Sequence, residues 1–311
     1  MKTNRLYCLA AALFCAAWLL APGNAQITRK RNLNISTEGN AERCSDLKVR
    51  SNGGEIAQSV EAFTLQRSEA PVLELTGMDR SVLHVRGWDR AEYSVEACKV
   101  AVGETRAAAE QTMRGISVSR SAGHFSSSGP ATNDDSNWQL YFFVNAPKGA
   151  SVDLETKNGP ISVSGIAGTV KARALNGPVS VNESSGMVEV HTTNGPISFS
   201  GGGGEVHLTA KNGPISLNLA GEVWNGSRLE AHTDNGPVSV NMPDTFRSGV
   251  RVETSGHSPV SCRSGACQNA WTNDSANQRV IQMNGSQDTI RVSTNNGPVS
   301  VGGGKKTGHI I

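Results

Sequence analysis

Aromatic side chains are scarce in this chain: phenylalanine, tryptophan and tyrosine make up 5% of its 311 residues. Three tyrosines and five tryptophans, one of the latter within the first 25 residues, supply little from which to build a stacking platform for sugars. An excess of either charge is lacking too, since 29 lysines and arginines meet 27 acids. A balanced surface argues against nucleic acid, which requires a basic patch, and against a polybasic membrane contact. Beyond Leu20 no apolar run approaches the roughly 20 residues that a membrane-spanning helix needs. There is no Cys-x-x-Cys pair for zinc, and no Lys-Ser or Lys-Thr follows the run Gly201-Gly202-Gly203-Gly204 to cradle a phosphate.

What is present begins with the apolar stretch Leu6 to Leu20, behind Lys2 and Arg5 and ahead of the small residues Gly23 and Ala25. This order predicts an export signal over residues 1–25, and hence a periplasmic or cell-surface address. Cys8 and Cys15 lie inside the stretch, which argues against lipid attachment. Cleavage removes two basic residues and leaves 27 against 27. Four cysteines remain, Cys44, Cys98, Cys262 and Cys267, and outside the cytoplasm they can oxidise in any of three pairings. Cys262 and Cys267 are nearest and would close a small loop, with Cys44 and Cys98 then tying the two ends of the first region. A zinc site is the rival.

Residues 26–43 form a polar, aperiodic lead. Residues 44–149 alternate apolar and polar, as in Val72-Leu73-Glu74-Leu75 and Val82-Leu83-His84-Val85, which predicts a β-rich region or cap. One helix is expected, over Thr105 to Arg114, where Ala107-Ala108-Ala109-Glu110-Gln111 are strong helix formers and Gly115 is a stop. Ser126 to Asn137 reads as a loop, Trp138 to Val144 as a strand, and Pro147-Lys148-Gly149 as a turn.

From there the tripeptide Asn-Gly-Pro recurs at Asn158, Asn176, Asn194 and Asn212, each 18 residues after the last, and again at Asn235 and Asn296. An aliphatic residue, a serine and another apolar residue follow every copy. Upstream of the turns, Val152, Val170, Val188 and Val206 share one slot and Leu154, Ala172, Val190 and Leu208 another. Each unit therefore holds two short strands that cannot bury their apolar face alone, so neighbours must stack over residues 150–301. A row of hairpins would satisfy the same pattern, because Asn-Gly is also a tight-hairpin signal. The outward positions favour stacking. One column reads Asp153, Lys171, Glu189, His207, Glu230, Arg251 and Arg291, and over the regular units its sign flips from one to the next, as parallel neighbours about 4.8 Å apart require. The expectation is an all-β, parallel β-solenoid of about seven coils, with the turn asparagines bonded amide to amide along one edge. Residues 302–311 read as a flexible tail.

The run Val144-Asn145-Ala146-Pro147-Lys148-Gly149-Ala150-Ser151-Val152-Asp153-Leu154, followed by Asn-Gly-Pro-Ile-Ser-Val-Ser-Gly, resembles the bacterial adhesin-like domain of the DUF4097 type. Val82 to Val95, with Gly87-Trp88-Asp89, and the helix after it resemble that family's amino-terminal part. The resemblance spans roughly residues 44–301 and implies an exported β-solenoid named an adhesin by analogy. It brings no catalytic residues.

Few side chains suggest chemistry. His191, His207 and His232 fall on outward columns of three successive units and read best as members of the charge ladder. Asp153 with Glu155, and Glu230 with Glu253, are the candidate carboxylate pairs for a carbohydrate-active enzyme, but their alternation with Lys171, Arg173 and Arg251 fits stacking better. The serine column Ser162, Ser180, Ser198, Ser216, Ser239, Ser261 and Ser300 is the most regular outward feature. It fits either close sheet stacking or a flat hydroxyl-rich binding face. The sequence therefore points to a non-enzymatic, adhesin-like or structural module without cofactor or metal, its partner left open between a glycan and another envelope protein. The alternative is a carbohydrate-binding protein or carbohydrate-active enzyme on a β-helix.

Overall fold

The computed structural model describes residues 32–37, 41–255, 258–275, 277–285 and 287–303. The expected signal peptide, most of the lead and the end of the tail lie outside the described residues. Among the described residues no helix is long and apolar enough to cross a membrane.

Alternation fixes the architecture locally. In Val170–Asn176 the side chains of Val170 and Ala172 are buried, while Lys171 and Arg173 between them are only half-buried. After the Asn176-Gly177-Pro178 corner the chain returns as Val179–Asn182, burying Val179 and Val181 from the opposite side. These two strands do not pair with each other. Each lies parallel on its equivalent in the neighbouring coil, with Val152, Val170, Val188 and Val206 in one register and Ile161, Val179, Ile197 and Ile215 in another. The fold is therefore a parallel β-solenoid, with a first sheet of 12 strands and a second of 11 enclosing one continuous apolar core. At the corners backbone rests directly on backbone. A Cβ on Gly177 would stand 2.2 Å from the carbonyl oxygen of Gly159, and one on Gly195 2.2 Å from that of Gly177, so only glycine fits.

The stack starts upstream of the repeats. Val72–Met78 and Ser81–Trp88 form a coil whose strands pair in parallel with Ser151–Asn158 and Ile161–Ser164. Its corner, Asp79-Arg80, has no glycine, and Arg80 itself takes the left-handed backbone conformation (φ 52°). Asn137–Pro147 continues the second sheet, followed by the antiparallel strands Glu92–Gly103 and Glu55–Gln66. The helix Arg106–Arg114 packs beside these strands, with the Thr105 hydroxyl accepting from the Ala108 amide at its start. Ser126 to Ser128, expected to be loop, belong instead to the strand His124–Ser128. They pair with Ser117–Ser121, where short polar side chains can bond across the ladder, as Ser117 does with Ser128.

Coil order departs from chain order at the other end. The last coil, Ile290–Asn296 with Val299–Gly303, lies between the coil of Asn225–Asn235 and the coil of Val250–Ser255. The serine column consequently runs Ser239, Ser300, Ser261. The insertion between these coils forms a 3-10 turn, Gly265–Asn269, and two antiparallel strands, Gln278–Met283 and Trp271–Asp274, that finish the first sheet. Gly302 and Gly303, placed in the tail on sequence grounds, pair with Asn241 and Met242.

Candidate functional site

The outward side of the second sheet presents two rows of small polar residues. One row is the serine column, and the next reads Ser164, Asn182, Ser200, Asn218 and Asn241. Stacked side chains bond along and across these rows: Asn241 Nδ2 donates to Asn218 Oδ1 at 3.0 Å and Asn182 Nδ2 to Ser180 Oγ at 3.1 Å. No bulky side chain rises from the rows between Ser162 and Ser300, so the face is flat and lined with hydroxyls and amides.

At its upstream end the face meets a wall. In the registers of Ser162 and Ser164 the preceding coil carries His84 and Arg86, and the next strand carries Phe143 and Asn145. A Cys44–Cys98 bridge holds the strap of residues 41–47 over this end, with Cα atoms 5.6 Å apart, and the Cys44 amide donates to Glu96 Oε2 at 2.9 Å. Beneath the strap Val82, Tyr141 and Phe143 form a small second core with Cys98. The His84 ring stacks on Phe143 at 5.4 Å between centroids. Burial lowers the imidazole's pKa, so it favours the neutral form. Burial likewise pushes the Tyr141 phenol up to about 12.

Where strap and face meet they enclose a notch of about 360 Å³, lined by Glu42, His84, Arg86, Asn145, Ser162 and Asn182 among others. Arg86 pairs with Glu42 across its mouth. A second hollow beside it shares Glu42, Arg86 and Glu183 and adds Trp88 and the ion pair of Lys148 with Asp89, 2.8 Å apart. Glu183 stands out because its backbone is left-handed (φ 52°), in the slot that Gly165 occupies one coil earlier (φ 68°). A carboxylate-bearing residue thus holds a glycine conformation at the rim of the notch, a strain of about 1–2 kcal/mol. Nothing in the repeat groups these residues, because Glu42 reaches the notch only through the disulfide-held strap. That slot varies from coil to coil, with Gly201 paired to Leu219 further along, so no period marked Glu183 either.

The other candidate residues sort differently. On the outward face of the first sheet, Arg173 Nη2 donates to Asp153 Oδ1 at 2.5 Å and lies 3.9 Å from Glu155, so that carboxylate pair is held by a neighbouring cation. The bond to Asp153 raises the pKa of Arg173 further. Glu230 and Glu253 do not meet, because the strand Ile290–Asn296 separates them. His207 stands between Glu205 (3.3 Å) and Glu230 (3.2 Å), while His232 contacts Asp234 and Ser293. His191 and His232 flank Thr209 in one column. Among the described residues no cluster of three or more His, Cys, Asp or Glu side chains gathers in a metal-binding arrangement. At the far end Cys262 and Cys267 are bonded, with Cα atoms 5.9 Å apart, around the turn before the end cap.

Along the corner edge the six turn asparagines form one file. Asn176 donates to Asn158, Asn194 to Asn176, Asn212 to Asn194, Asn235 to Asn212 and Asn296 to Asn235, all at 2.9–3.0 Å. This file faces solvent and does not enter the notch.

No family model and no curated protein matches the sequence. Solved structures align with it over most of its length. A putative cell adhesion protein from Clostridium sporogenes aligns over 79% of this chain and 100% of its own, with 10% identity and a TM-score of 0.31. A putative adhesin from Bacteroides fragilis aligns over 79% and 97%, with 10% identity and a TM-score of 0.38. Another from Parabacteroides distasonis aligns over 79% and 97%, with 8% identity and a TM-score of 0.34.

Proposed function

We propose that this chain is an exported, non-enzymatic, adhesin-like module of the DUF4097 type, which holds a repetitive polar polymer, a glycan above all, on the outward face of its second sheet. The flat double row of hydroxyls and amides carries this reading. Donors and acceptors repeat there at the strand spacing of about 4.8 Å, with no ring or charge to interrupt them between Ser162 and Ser300. A polymer laid along the stack would meet the same bonding group at each step, and the notch would receive its end. Many weak bonds of about 0.5–1.5 kcal/mol each suit retention without turnover. The reading takes the first 25 residues as a signal and the two disulfides as marks of an oxidising compartment.

A glycan array paired with an assay for product release tests it. Retention of a glycan without new reducing ends, weakened when Ser198 is replaced by Arg, is the expected result. New reducing ends would move the protein to the carbohydrate-active enzymes.

A further inference from the structure

The solenoid contains a coil that arrives last in sequence but sits inside the stack. Ile290–Asn296 is bonded in parallel to Asn225–Asn235 on one side and to Val250–Ser255 on the other, and Val299–Gly303 is likewise flanked by Val238–Met242 and Val260–Cys262. Every other described residue of the stack precedes this coil. The two neighbours and the end cap are therefore complete before the coil exists, and a slot must stand open or reopen to admit it. We propose that this slot is an exchange site: it accepts residues 288–303 of a second copy of the chain as readily as its own.

Four observations support exchange. First, the coil inserts its apolar residues Ile290, Val292, Val299 and Val301 into the core, and it lies outside both disulfide loops, so no disulfide retains it. Second, a single short connection after Met283 joins it to the cap, and short hinges of this kind favour exchange between copies.

Third, the vacated slot can close on itself. The registers that place Leu229 on Ile290 and Ile290 on Val250 also imply that, without the coil, Leu229 would face Val250 and Ala231 would face Val252. Glu230 would then lie beside Arg251, and His232 beside Glu253, which are complementary neighbours. In the second sheet Val238 would meet Val260, and Val240 would meet Cys262.

Fourth, the inserted arrangement carries a like-charge contact that the closed one lacks. Arg251 and Arg291 stand directly opposite in register. They are held together by Asp288, 3.2 Å from Arg291 and 3.9 Å from Arg251. Like charges opposite each other in a sheet are destabilising, so withdrawal removes a repulsion as well as contacts. A coil inserted from another copy makes the same bonds as the native one. Chain concentration against the effective concentration of the short hinge therefore sets the balance.

The test uses full-length chains with native disulfides intact. Ser300 of the inserted coil lies beside Ser239 on the wall of the slot, their hydroxyls 3.5 Å apart. One sample carries S239C, a second S300C, and a third both substitutions. With copper-phenanthroline as the oxidant, the double variant is expected to form a disulfide between positions 239 and 300 within one chain when dilute. The two single variants, mixed, unfolded in urea without reductant, refolded together at high concentration and then oxidised in the same way, are expected to give a disulfide-linked dimer of twice the mass through the same positions. Closure in the double variant with no dimer from the mixture would overturn the proposal. If the double variant does not close, tagged and untagged wild-type chains refolded together decide. Co-purification that is lost when both chains end at Gln287 supports exchange, and absence of co-purification overturns it.

Discussion

Asp79 accepts a hydrogen bond from the side-chain amide of Asn158 at 2.8 Å, and with it ends the asparagine file along the corner edge. Each asparagine amide has a donor side and an acceptor side, and every donor in the file points to the preceding coil. The first acceptor therefore falls to a residue that needs no donor, which a carboxylate supplies. Asn194 occupies the interior with two bonds, whereas Asn296 at the end has one bond within the file. Replacing Asn194 with Ala should lower stability by about 1–2 kcal/mol, and Asn296→Ala by about half of that. Equal losses at the two positions in a denaturant titration would show that the file is not a cooperative ladder of amide bonds.

Much of this arrangement could be read from the sequence, and the reason is period. A repeat of 18 residues with fixed apolar slots dictates which residues touch their counterparts, so the registers of Val170, Val188 and Val206 needed no tertiary knowledge. The coil of Val72–Met78 and Ser81–Trp88 was hidden because Asp79-Arg80 replaces Asn-Gly-Pro at its corner, although the alternation of its two strands was visible. The order of the final coils was hidden for another reason. Local pattern specifies how a coil packs on a neighbour but not which coil that neighbour is. The sign alternation, read in chain order, placed Arg251 next to Glu230. The structure puts Arg291 there instead; the two arginines are neighbours in either order, and Asp288 lies against both. The notch was illegible because it depends on a disulfide-held strap meeting the sheet from outside the repeat.

The inward slot just before each corner holds threonine or alanine, and its threonines differ in a way that predicts opposite mutational signs. Thr233 Oγ1 donates to the Gly213 carbonyl at 2.9 Å, whereas Thr192 Oγ1 is buried without a hydrogen-bond partner. A buried unsatisfied hydroxyl is destabilising by about 1–3 kcal/mol, and valine has nearly the same shape. Thr192→Val should therefore raise stability by about 1 kcal/mol, and Thr233→Val should lower it by a similar amount. Chemical denaturation of the two variants under one set of conditions checks both signs.

Acid should weaken the strap end through His84. Its folded pKa lies below the unfolded value of 6.5, so the unfolded chain binds the proton more readily. The contribution of the neutral imidazole is complete above that unfolded value and is lost as pH falls through 6.5 towards the folded pKa. Between neutral pH and pH 5 the melting temperature of the wild type should drop more than that of His84→Gln, which has no such titration. Parallel melting curves for the two proteins across this range would remove His84 as the cause.

Glu183 offers the sharpest separation of stability from binding. In a slot where the preceding coil uses Gly165, its left-handed backbone carries strain that glycine would not, so Glu183→Gly should stabilise the fold by about 1 kcal/mol. The same change removes a carboxylate from the hollow it shares with Glu42 and Arg86. If the notch receives the end of a bound glycan, retention on an array should fall several-fold even as the melting temperature rises. Glu183→Gln would keep the strain and the side-chain length but lose the charge, so it should weaken binding without the gain in stability. A Glu183→Gly protein that is both more stable and fully retentive would show that strain at this rim serves no ligand, and would return the binding role to the serine and asparagine rows alone.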